Sequence, residues 1–312
     1  AADSHYLCPA PLYHAAPLRH TMVTIKMGGT AVIMPKFDAA ESLRLTDRHR
    51  ITHSQWVPTM FVRMLKLPDE ERLAFDVSSQ VMAVHAAAPC PIDVKRRMID
   101  WWGPILHEYY AGTENNGFCA LATAEWLAHP GSVGKSRLGI PHICGEDGEE
   151  LPVGEAGEIW FEDGHEFEYH NDPEKTAKAR DARGWTTLGD IGRLDADGYL
   201  YLTDRKSFVI ITGGVNVYPQ EAENALLSHP AVLDAAVFGI PNEEFGEEVK
   251  AVVQLSPGHV ASPQLEADLI AHCRHGLAAV KCPRSIDFRA QLPREANGKL
   301  FKKKLIAEYS AR

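Results

Sequence analysis

Two opposite charges flank a turn sequence in the second half of the chain. Asp190 precedes the tetrapeptide Asp-Ala-Asp-Gly at 195–198 and Arg205 follows it, and the glycine of that turn can adopt a positive φ. The aromatic and apolar run 199–202 favours a strand. We therefore predict a hairpin with the carboxylate on one side and the guanidinium on the other. Such a carboxylate can accept two hydrogen bonds from a vicinal diol, whereas an Asp–Arg ion pair that only ties the hairpin together is the alternative.

A second segment with candidate functional residues is Tyr-Ala-Gly-Thr-Glu at 110–114, which directly follows a predicted strand at 105–109. It offers an aromatic ring, a hydroxyl and a carboxylate. Ligands of open α/β sheets bind at the carboxyl ends of strands. The segment therefore predicts a ligand-binding loop, unless its threonine and glutamate serve only as turn and cap residues.

Two glycines and a lysine are further candidates. Gly213-Gly214 follows the β-branched run 209–212. Paired glycines after a strand let the backbone approach a ligand closely, although an ordinary β-bulge is the alternative. Lys299 follows an Asn-Gly pair that presents its side chain at a loop tip. An exposed lysine beside a basic tail is ordinarily only solvated, so its assignment depends on the motif around it.

The elements that must position these residues change in character along the chain. Residues 1–130 alternate predicted strands and helices, which predicts an α/β layer with a parallel or mixed sheet. In 131–206, glycines punctuate short β segments and indicate a β-rich subdomain. From 207 to 312 the pattern predicts a separate α+β domain, with helices that begin at Pro219 and at Ser262-Pro263.

Composition excludes several classes of protein. The formal net charge of −10 argues against a nucleic-acid-binding surface, which would be basic. The six cysteines form no CxxC pair, so we expect reduced, mostly buried thiols and a cytoplasmic location. No apolar run approaches the length of a bilayer span, and no signal peptide opens the chain.

In this order, the candidate segments resemble the acyl-adenylate-forming enzymes, which include acyl-CoA synthetases, adenylation domains of peptide synthetases and luciferases. The resemblance covers essentially the whole chain and fits bacterial fatty-acyl-CoA synthetases most closely. It implies an incomplete large α/β adenylating domain followed by a small, mobile α+β C-terminal domain. The Gly/Ser/Thr-rich phosphate loop with its lysine is absent and residue 1 is not Met, so we expect the back part of a longer enzyme.

The resemblance implies an adenosine site. Tyr110 would stack on the adenine, and Asp190 and Arg205 would bind the ribose. Small residues would leave room for the flat ring against the backbone, and these are Ala87, Ala88, Pro89, Ala111 and Gly112. The family usually has Gly where Ala111 stands, and often Gly or Ser where His85 stands, so we do not predict a catalytic role for His85.

The resemblance also implies catalytic residues. The Thr113 hydroxyl would bond the α-phosphate and Glu114 would bind Mg²⁺. Lys299 would be a mobile cation that meets the carboxylate and phosphate oxygens during adenylation. The thioester step would use Gly213, Gly214 and His14, with an interdomain hinge at Ser207. For His14 the alternative is a core histidine whose nitrogens are satisfied by the backbone.

The predicted function is that of an ATP-dependent acyl-CoA synthetase acting on a fatty or other apolar carboxylic acid, with ATP, Mg²⁺ and CoA as cofactors. Two alternatives remain open: an adenylating enzyme that loads a carrier-protein thiol, and an inactive fragment or interaction module. Because the phosphate loop is missing, we expect this part alone to be inactive or impaired.

Overall fold

The computed structural model describes residues 3–294 and 300–310. The chain forms two compact units: the first contains residues 1–188 and 192–202, and the second contains residues 189–191 and 203–312. The division at 202–203 lies close to the predicted boundary between 206 and 207. The boundary predicted between 130 and 131 has no counterpart in this division.

The first unit is built on a seven-stranded sheet. Its strands are β1 (His5–Cys8), β2 (Thr30–Ile33), β3 (His53–Trp56), β4 (Met82–His85), β5 (Leu106–Ala111), β6 (Phe118–Ala122) and β7 (Lys135–Leu138). They lie in the order β2-β1-β3-β4-β5-β6-β7. The strands β1 to β5 are parallel, whereas β6 and β7 pair antiparallel to their neighbours. The predicted α/β layer with a mixed sheet is confirmed.

Helices alternate with these strands, and their apolar faces form the core. The helices are α1 (Ala15–Lys26), α2 (Ala39–Arg48), α3 (Pro58–Leu65), α4 (Asp69–Arg72), α5 (Ile92–Trp102) and α6 (Thr123–Ala128). Asp38 caps α2 by accepting the N–H of Glu41 at 2.9 Å. The core between the sheet and α2, α3 and α5 includes Leu7, Leu43, Trp56, Phe61, Met98 and Leu106. Burial of this apolar surface stabilises the layer.

A smaller four-stranded sheet follows. Its elements are β8 (Ile140–Cys144), β9 (Gly157–Glu162), α7 (Pro173–Lys178), β10 (Thr186–Leu194) and β11 (Leu200–Arg205), with the strands in the order β11-β10-β9-β8. The prediction of a β-rich segment is confirmed, but its first strand, β7, belongs to the large sheet because it pairs with β6. The two sheets are separated at Gly139, whose φ of 71° lets the chain turn into β8.

The second unit is an α+β layer. Its elements are β12 (Ile210–Thr212), β13 (Val215–Val217), α8 (Pro219–Ser228), β14 (Val232–Asn242), β15 (Gly246–Leu255), α9 (Pro263–Gly276), β16 (Ser285–Phe288) and α10 (Lys302–Ser310). Residues alternate across β14: Ala235 and Val237 face the cluster that includes α8 and α9, whereas Ala236 and Phe238 face α10. Both faces of the sheet are therefore covered by helices.

All six cysteines are buried and unpaired, as predicted. Among the residues that the structure describes, none of the helices combines the length and the hydropathy needed to cross a bilayer.

Candidate active site

Two of the predicted ligand-binding segments leave the large sheet at the same edge. β4 and β5 are parallel neighbours, and His85 pairs in register with Glu108. The turn 86–91, which leads from β4 to α5, and the loop 112–117, which leads from β5 to β6, therefore start side by side. We call these two segments the sheet edge. This juxtaposition confirms that they begin where ligands of open α/β sheets bind.

The turn 86–91 contains a residue in an unfavourable backbone conformation. Ala87 has a φ of 77°, in the left-handed region that residues with a Cβ rarely adopt. Ala87 and Ala88 are exposed, while Cys90 at the end of the turn is buried. Strained residues of this kind cluster at functional sites, so the turn is a ligand-binding candidate on geometric grounds as well.

Residues 110–112 contact the neighbouring strand β6 on one side and side chains of the smaller sheet on the other. Tyr110 pairs with Cys119 of β6, and its ring lies 6.3 Å from that of Phe161 in a stacked arrangement. Ala111 is the last residue of β5. A Cβ at Gly112 would lie 2.2 Å from Leu188 Cδ1 and 2.8 Å from Glu114 Oε2, so a larger residue here would require both side chains to move.

The two polar residues of the loop differ in exposure. Thr113 is exposed, whereas Glu114 is half-buried. The hydroxyl of Tyr169 donates a hydrogen bond of 3.0 Å to Glu114 Oε1. Sequence reasoning missed Tyr169, because it lies 55 positions further along the chain outside any strand or helix. The arrangement orients a carboxylate beside an exposed hydroxyl.

The predicted hairpin of Asp190 and Arg205 is present. Asp195 Oδ1 accepts the backbone N–H groups of Asp197 and Tyr199, and Gly198 has a φ of 79°. The turn brings Arg205 Nε to 3.1 Å from Asp190 Oδ1. The ion pair that sequence reasoning kept as an alternative therefore exists, and ribose binding stays a prediction. Both functions are compatible, because the Asp190 side chain retains 11% exposure and that of Arg205 retains 50%.

Gly213 and Gly214 form a two-residue turn between β12 and β13. The strands are antiparallel with Thr212 opposite Val215, and the glycines have φ values of 56° and 78°. The alternative of a β-bulge is therefore wrong, since the pair closes a hairpin of the type that requires two positive φ angles. Gly213 N–H donates to the carbonyl of Phe245 at 2.9 Å, which anchors one end of the turn.

Three further predicted residues are Ser207, His14 and Lys299. Ser207 is exposed in a single 3₁₀ turn, Lys206–Phe208. His14 immediately precedes α1, is half-buried, and has its ring centroid 4.8 Å from that of Tyr13. Lys299 lies outside the described residues. The hinge, thioester and adenylation roles of these three residues stay predictions.

Sequence reasoning also missed a buried polar group behind the sheet edge. Lys95 Nζ lies 2.5 Å from Glu108 Oε2, and His85 Nε2 lies 3.5 Å from the same oxygen. Burial is the main cause that lowers the pKa values of His85 and Lys95 and raises the pKa of Glu108. A signal was available: Lys95 shares a helical face with the buried Met98 and Trp102, and Glu108 lies two positions after the buried Leu106 on β5, so each charge occupies a core position.

Comparison with known families assigns the chain to one of them. The family model described as AMP-binding enzyme matches residues 1–166, and the model described as AMP-binding enzyme C-terminal domain matches residues 221–299. The chain belongs to the AMP-binding enzyme family. The two matched regions confirm the predicted resemblance to acyl-adenylate-forming enzymes and the predicted combination of a large domain and a small C-terminal domain.

Individual relatives have related activities. The chain is 34% identical over 303 residues to a long-chain-fatty-acid–CoA ligase of Bacillus subtilis, a match that covers 96% of this chain and 53% of that protein. It is 34% identical over 307 residues to a feruloyl-CoA synthase of Amycolatopsis, with 97% and 61% covered. The chain therefore spans little more than half the length of the relatives it matches.

Solved structures give the same architecture. The ATP-bound crystal structure of MatB from Rhodopseudomonas palustris superimposes on this chain with a TM-score of 0.83 at 30% identity, covering 99% of this chain and 61% of that one. The arrangement of strands around the sheet edge is therefore one that a nucleotide-binding protein also adopts.

Proposed function

We propose that this AMP-binding enzyme is an ATP-dependent acyl-CoA synthetase, an acid–thiol ligase that works through an acyl-AMP intermediate. A carboxylate oxygen attacks the α-phosphorus of ATP and pyrophosphate leaves. The sulfur of CoA then attacks the acyl carbonyl, loses its proton, and AMP leaves. The observation that carries the proposal is the sheet edge, where the turn 86–91 and the loop 112–117 leave neighbouring parallel strands.

Adenosine recognition is assigned to residues of suitable shape and charge. The half-buried ring of Tyr110 offers a face for stacking, and Ala87 and Ala88 are small and exposed. Asp190 accepts the ribose hydroxyls, and Arg205 at 3.1 Å holds its carboxylate in one orientation. A carboxylate fixed in this way binds a diol with less loss of side-chain entropy than a free one.

The phosphates are assigned to the loop 112–117. The exposed Thr113 hydroxyl can donate to an α-phosphate oxygen. Glu114 suits Mg²⁺, because the cation prefers carboxylate oxygens and Tyr169 already orients this carboxylate through Oε1. When bound, Mg²⁺ would neutralise charge on the phosphates. Gly112 keeps the loop against β10, since a larger residue would collide with Leu188.

Lys299, Gly213, Gly214, His14 and Ser207 are assigned the roles that the family resemblance implies. Lys299 stabilises the charge that develops at phosphorus. The glycine hairpin and His14 serve the thioester step. Ser207 is the interdomain hinge that rotates between adenylation and thioester formation. The acceptor is CoA because the relatives are named as CoA ligases. The acid is a fatty or other apolar one, in keeping with the fatty-acid and feruloyl names of those relatives.

The test combines nucleotide binding with turnover. AMP binding to the 312-residue chain is measured by calorimetry. Acyl-AMP and acyl-CoA formation are measured with ATP, Mg²⁺, CoA and a panel of aliphatic and aromatic acids, for this chain and for the same chain with any in-frame upstream sequence of its gene. Asp190→Ala is expected to weaken AMP binding by roughly 10- to 100-fold, as for loss of hydrogen bonds to a charged group.

Asp197→Ala is the matched control, since this carboxylate is in the same hairpin but its side chain is 71% exposed. Equal effects of the two substitutions would remove Asp190 from the site. Failure of the unmodified chain to bind AMP, together with no product from any acid in either form, would overturn the proposed function. Acyl-AMP without acyl-CoA would instead point to a different acceptor, such as a carrier-protein thiol.

A further inference from the structure

His85, Lys95 and Glu108 meet in the interior of the first unit, directly behind the sheet edge. None of the three residues is more than 4% exposed. A single oxygen, Glu108 Oε2, lies 2.5 Å from Lys95 Nζ and 3.5 Å from His85 Nε2. The Lys95 ammonium also lies 4.8 Å from the centroid of the Trp126 ring, so its charge has two favourable neighbours. We call these three residues the buried clamp.

Two residues of the clamp lie on either side of one short stretch of chain. His85 is the last residue of β4, and Lys95 lies in the first turn of α5. The turn 86–91 runs between them. Glu108 lies on β5 two positions before Tyr110. The Lys95–Glu108 ion pair thus ties the helix that follows the turn to the strand that carries the proposed adenine-stacking ring, while β4, where the turn begins, pairs directly with that strand.

The enclosed turn needs such a restraint. Ala87 has a φ of 77°, and a strained conformation persists only where the surrounding structure over-determines it. Within the turn, Ala86 N–H donates to the Trp56 carbonyl at a rather long 3.3 Å. That weak hydrogen bond alone leaves the exposed residues Ala87 and Ala88 poorly held. The pairing of β4 with β5 supplies a fixed point before these residues, and the Lys95–Glu108 ion pair supplies one after them.

We propose that Glu108, held by Lys95, is a positioning residue for nucleotide binding: it fixes the turn 86–89 relative to Tyr110 at the spacing that a bound adenine requires. This inference rests on the proposed function. The residues of the clamp do not touch the nucleotide. They act through the backbone of the two segments that do.

The chemistry of the clamp favours a geometric role over a purely stabilising one. A buried ion pair is weak evidence for stability, because well-packed apolar residues of similar volume often stabilise a core at least as well. The charges instead add a defined geometry, because a charge-assisted hydrogen bond of 2.5 Å fixes the position of Lys95 relative to Glu108. His85 is neutral, because burial and then Lys95 lower its pKa well below the ordinary value, so Lys95 provides the positive charge facing Glu108.

The test replaces the charges while keeping the core filled. Lys95→Met/Glu108→Leu removes the ion pair with little change of volume, and Glu108→Gln keeps both the size and a hydrogen-bonding oxygen. Thermal unfolding reports stability, calorimetry reports AMP affinity, and hydrogen exchange reports the amides of Ala86 and Asn115. The Ala86 amide donates to the carbonyl of Trp56 in β3, and the Asn115 amide donates to the carbonyl of Gly112 in its own loop.

The expected result is a native-like Tm for the double variant, on the order of tenfold weaker AMP binding, and faster exchange at both amides, as for loss of preorganisation without loss of fold. A purely structural pair would give native exchange and native AMP affinity once the core is refilled, and that result would overturn the proposal. If the double variant fails to fold, Glu108→Gln decides the same question by the same two measurements.

Two controls separate the possible failures. Lys302→Met/Glu223→Gln removes another buried ion pair, with 2.7 Å between its charged atoms, in the second unit. This variant is expected to leave exchange at Ala86 and Asn115 unchanged, and an equal acceleration there would overturn the assignment to the clamp. If the unmodified chain binds no AMP and neither form of it makes product, the proposed function fails, while the exchange data still decide whether the clamp holds the turn.

Discussion

Glycines occur both at the sheet edge and in the β12–β13 hairpin, but the two regions require them for different reasons. A Cβ at Gly112 would lie 2.2 Å from Leu188 Cδ1, and a Cβ at Gly117 would lie 2.4 Å from the ring of Phe161. Real Cβ atoms do not approach other atoms so closely. Glycine is therefore needed at the sheet edge because neighbouring side chains occupy the space.

In the hairpin, the surroundings are open. No described atom lies within 4 Å of a Cβ built at Gly214, and at Gly213 the nearest is Phe245 Cδ1 at 3.3 Å. Glycine is needed there because both φ angles are positive. The sheet edge is thus a preformed surface supported by packing, whereas the hairpin is a projecting turn supported mainly by its own backbone. Substitutions should reduce stability most at the first region.

The largest effect on function is expected at Lys299, to which the family resemblance assigns the charge that acts in adenylation. If the proposed function holds, Lys299→Ala should lower the rate of adenylation by roughly 10²–10³, as for loss of one charge-stabilising donor. Thioester formation from supplied acyl-AMP should be nearly unchanged. Single-turnover assays of each half-reaction measure both rates.

Lys303→Ala is the control for this prediction, because Lys303 is an exposed lysine in the nearby helix α10. It should leave both half-reactions unchanged. A loss of similar size in the two half-reactions of Lys299→Ala would show that the lysine does not act specifically in adenylation, and its assignment would be withdrawn.

The next prediction concerns the sheet edge. Gly117→Ala should lower the free energy of unfolding by about 1–3 kcal/mol, because its Cβ would collide with a ring in the core. Urea denaturation measures the loss. In Gly117→Ala/Phe161→Leu the smaller side chain makes room, so the double variant should be less destabilised than the sum of the two single changes. Simple additivity would mean that Phe161 is not what excludes a side chain.

The same contrast explains how much of the site the sequence could predict. The Asp190–Arg205 hairpin was predictable because both residues flank a turn whose chemistry is local. The loop 112–117 was predictable because it follows a strand, although that strand ends at Ala111 and not at the predicted position 109. The contact between Tyr169 and Glu114 was not, since it joins segments 55 positions apart without a shared pattern. Local sequence specifies turns and strand ends, whereas contacts between distant segments depend on the packed fold.

Two ambiguities of the fold had the same origin. A glycine pair after a strand fits either a bulge or a hairpin, and the pairing of Thr212 with Val215 decided for the hairpin. The propensity of β7 to form a strand did not specify which sheet it would join, and pairing with β6 placed it in the large one. In both cases the partner strand supplied the missing information.

A pH effect is expected at the buried clamp. Burial, and then the charge of Lys95, hold the pKa of His85 well below its ordinary value of 6.5, so folded His85 stays neutral where unfolded His85 takes up a proton. Its contribution to stability is therefore fully present above about pH 6.5 and is lost as the pH falls below it, by at most about 1.4 kcal/mol per pH unit.

His85→Gln should remove this dependence, and the difference between the unfolding free energies of the two proteins from pH 7.5 to 5.5 is the quantity to measure. A difference is measured because burial also raises the pKa of Glu108, and a raised pKa changes stability with pH in the opposite sense. Parallel stability curves for the two proteins would show that His85 does not titrate on unfolding.

The smallest effect is expected in the open hairpin. Gly214→Ala should cost about 1 kcal/mol of unfolding free energy, because alanine is strained at a φ of 78° although space is available. Gly214→Asn should cost less, since asparagine tolerates the left-handed region better than alanine does. Urea denaturation of both variants beside Gly117→Ala gives the ranking. If Gly214→Ala proved more damaging than Gly117→Ala, space would not be the property that separates the two regions. If alanine and asparagine cost the same at position 214, backbone strain would not be what requires glycine there.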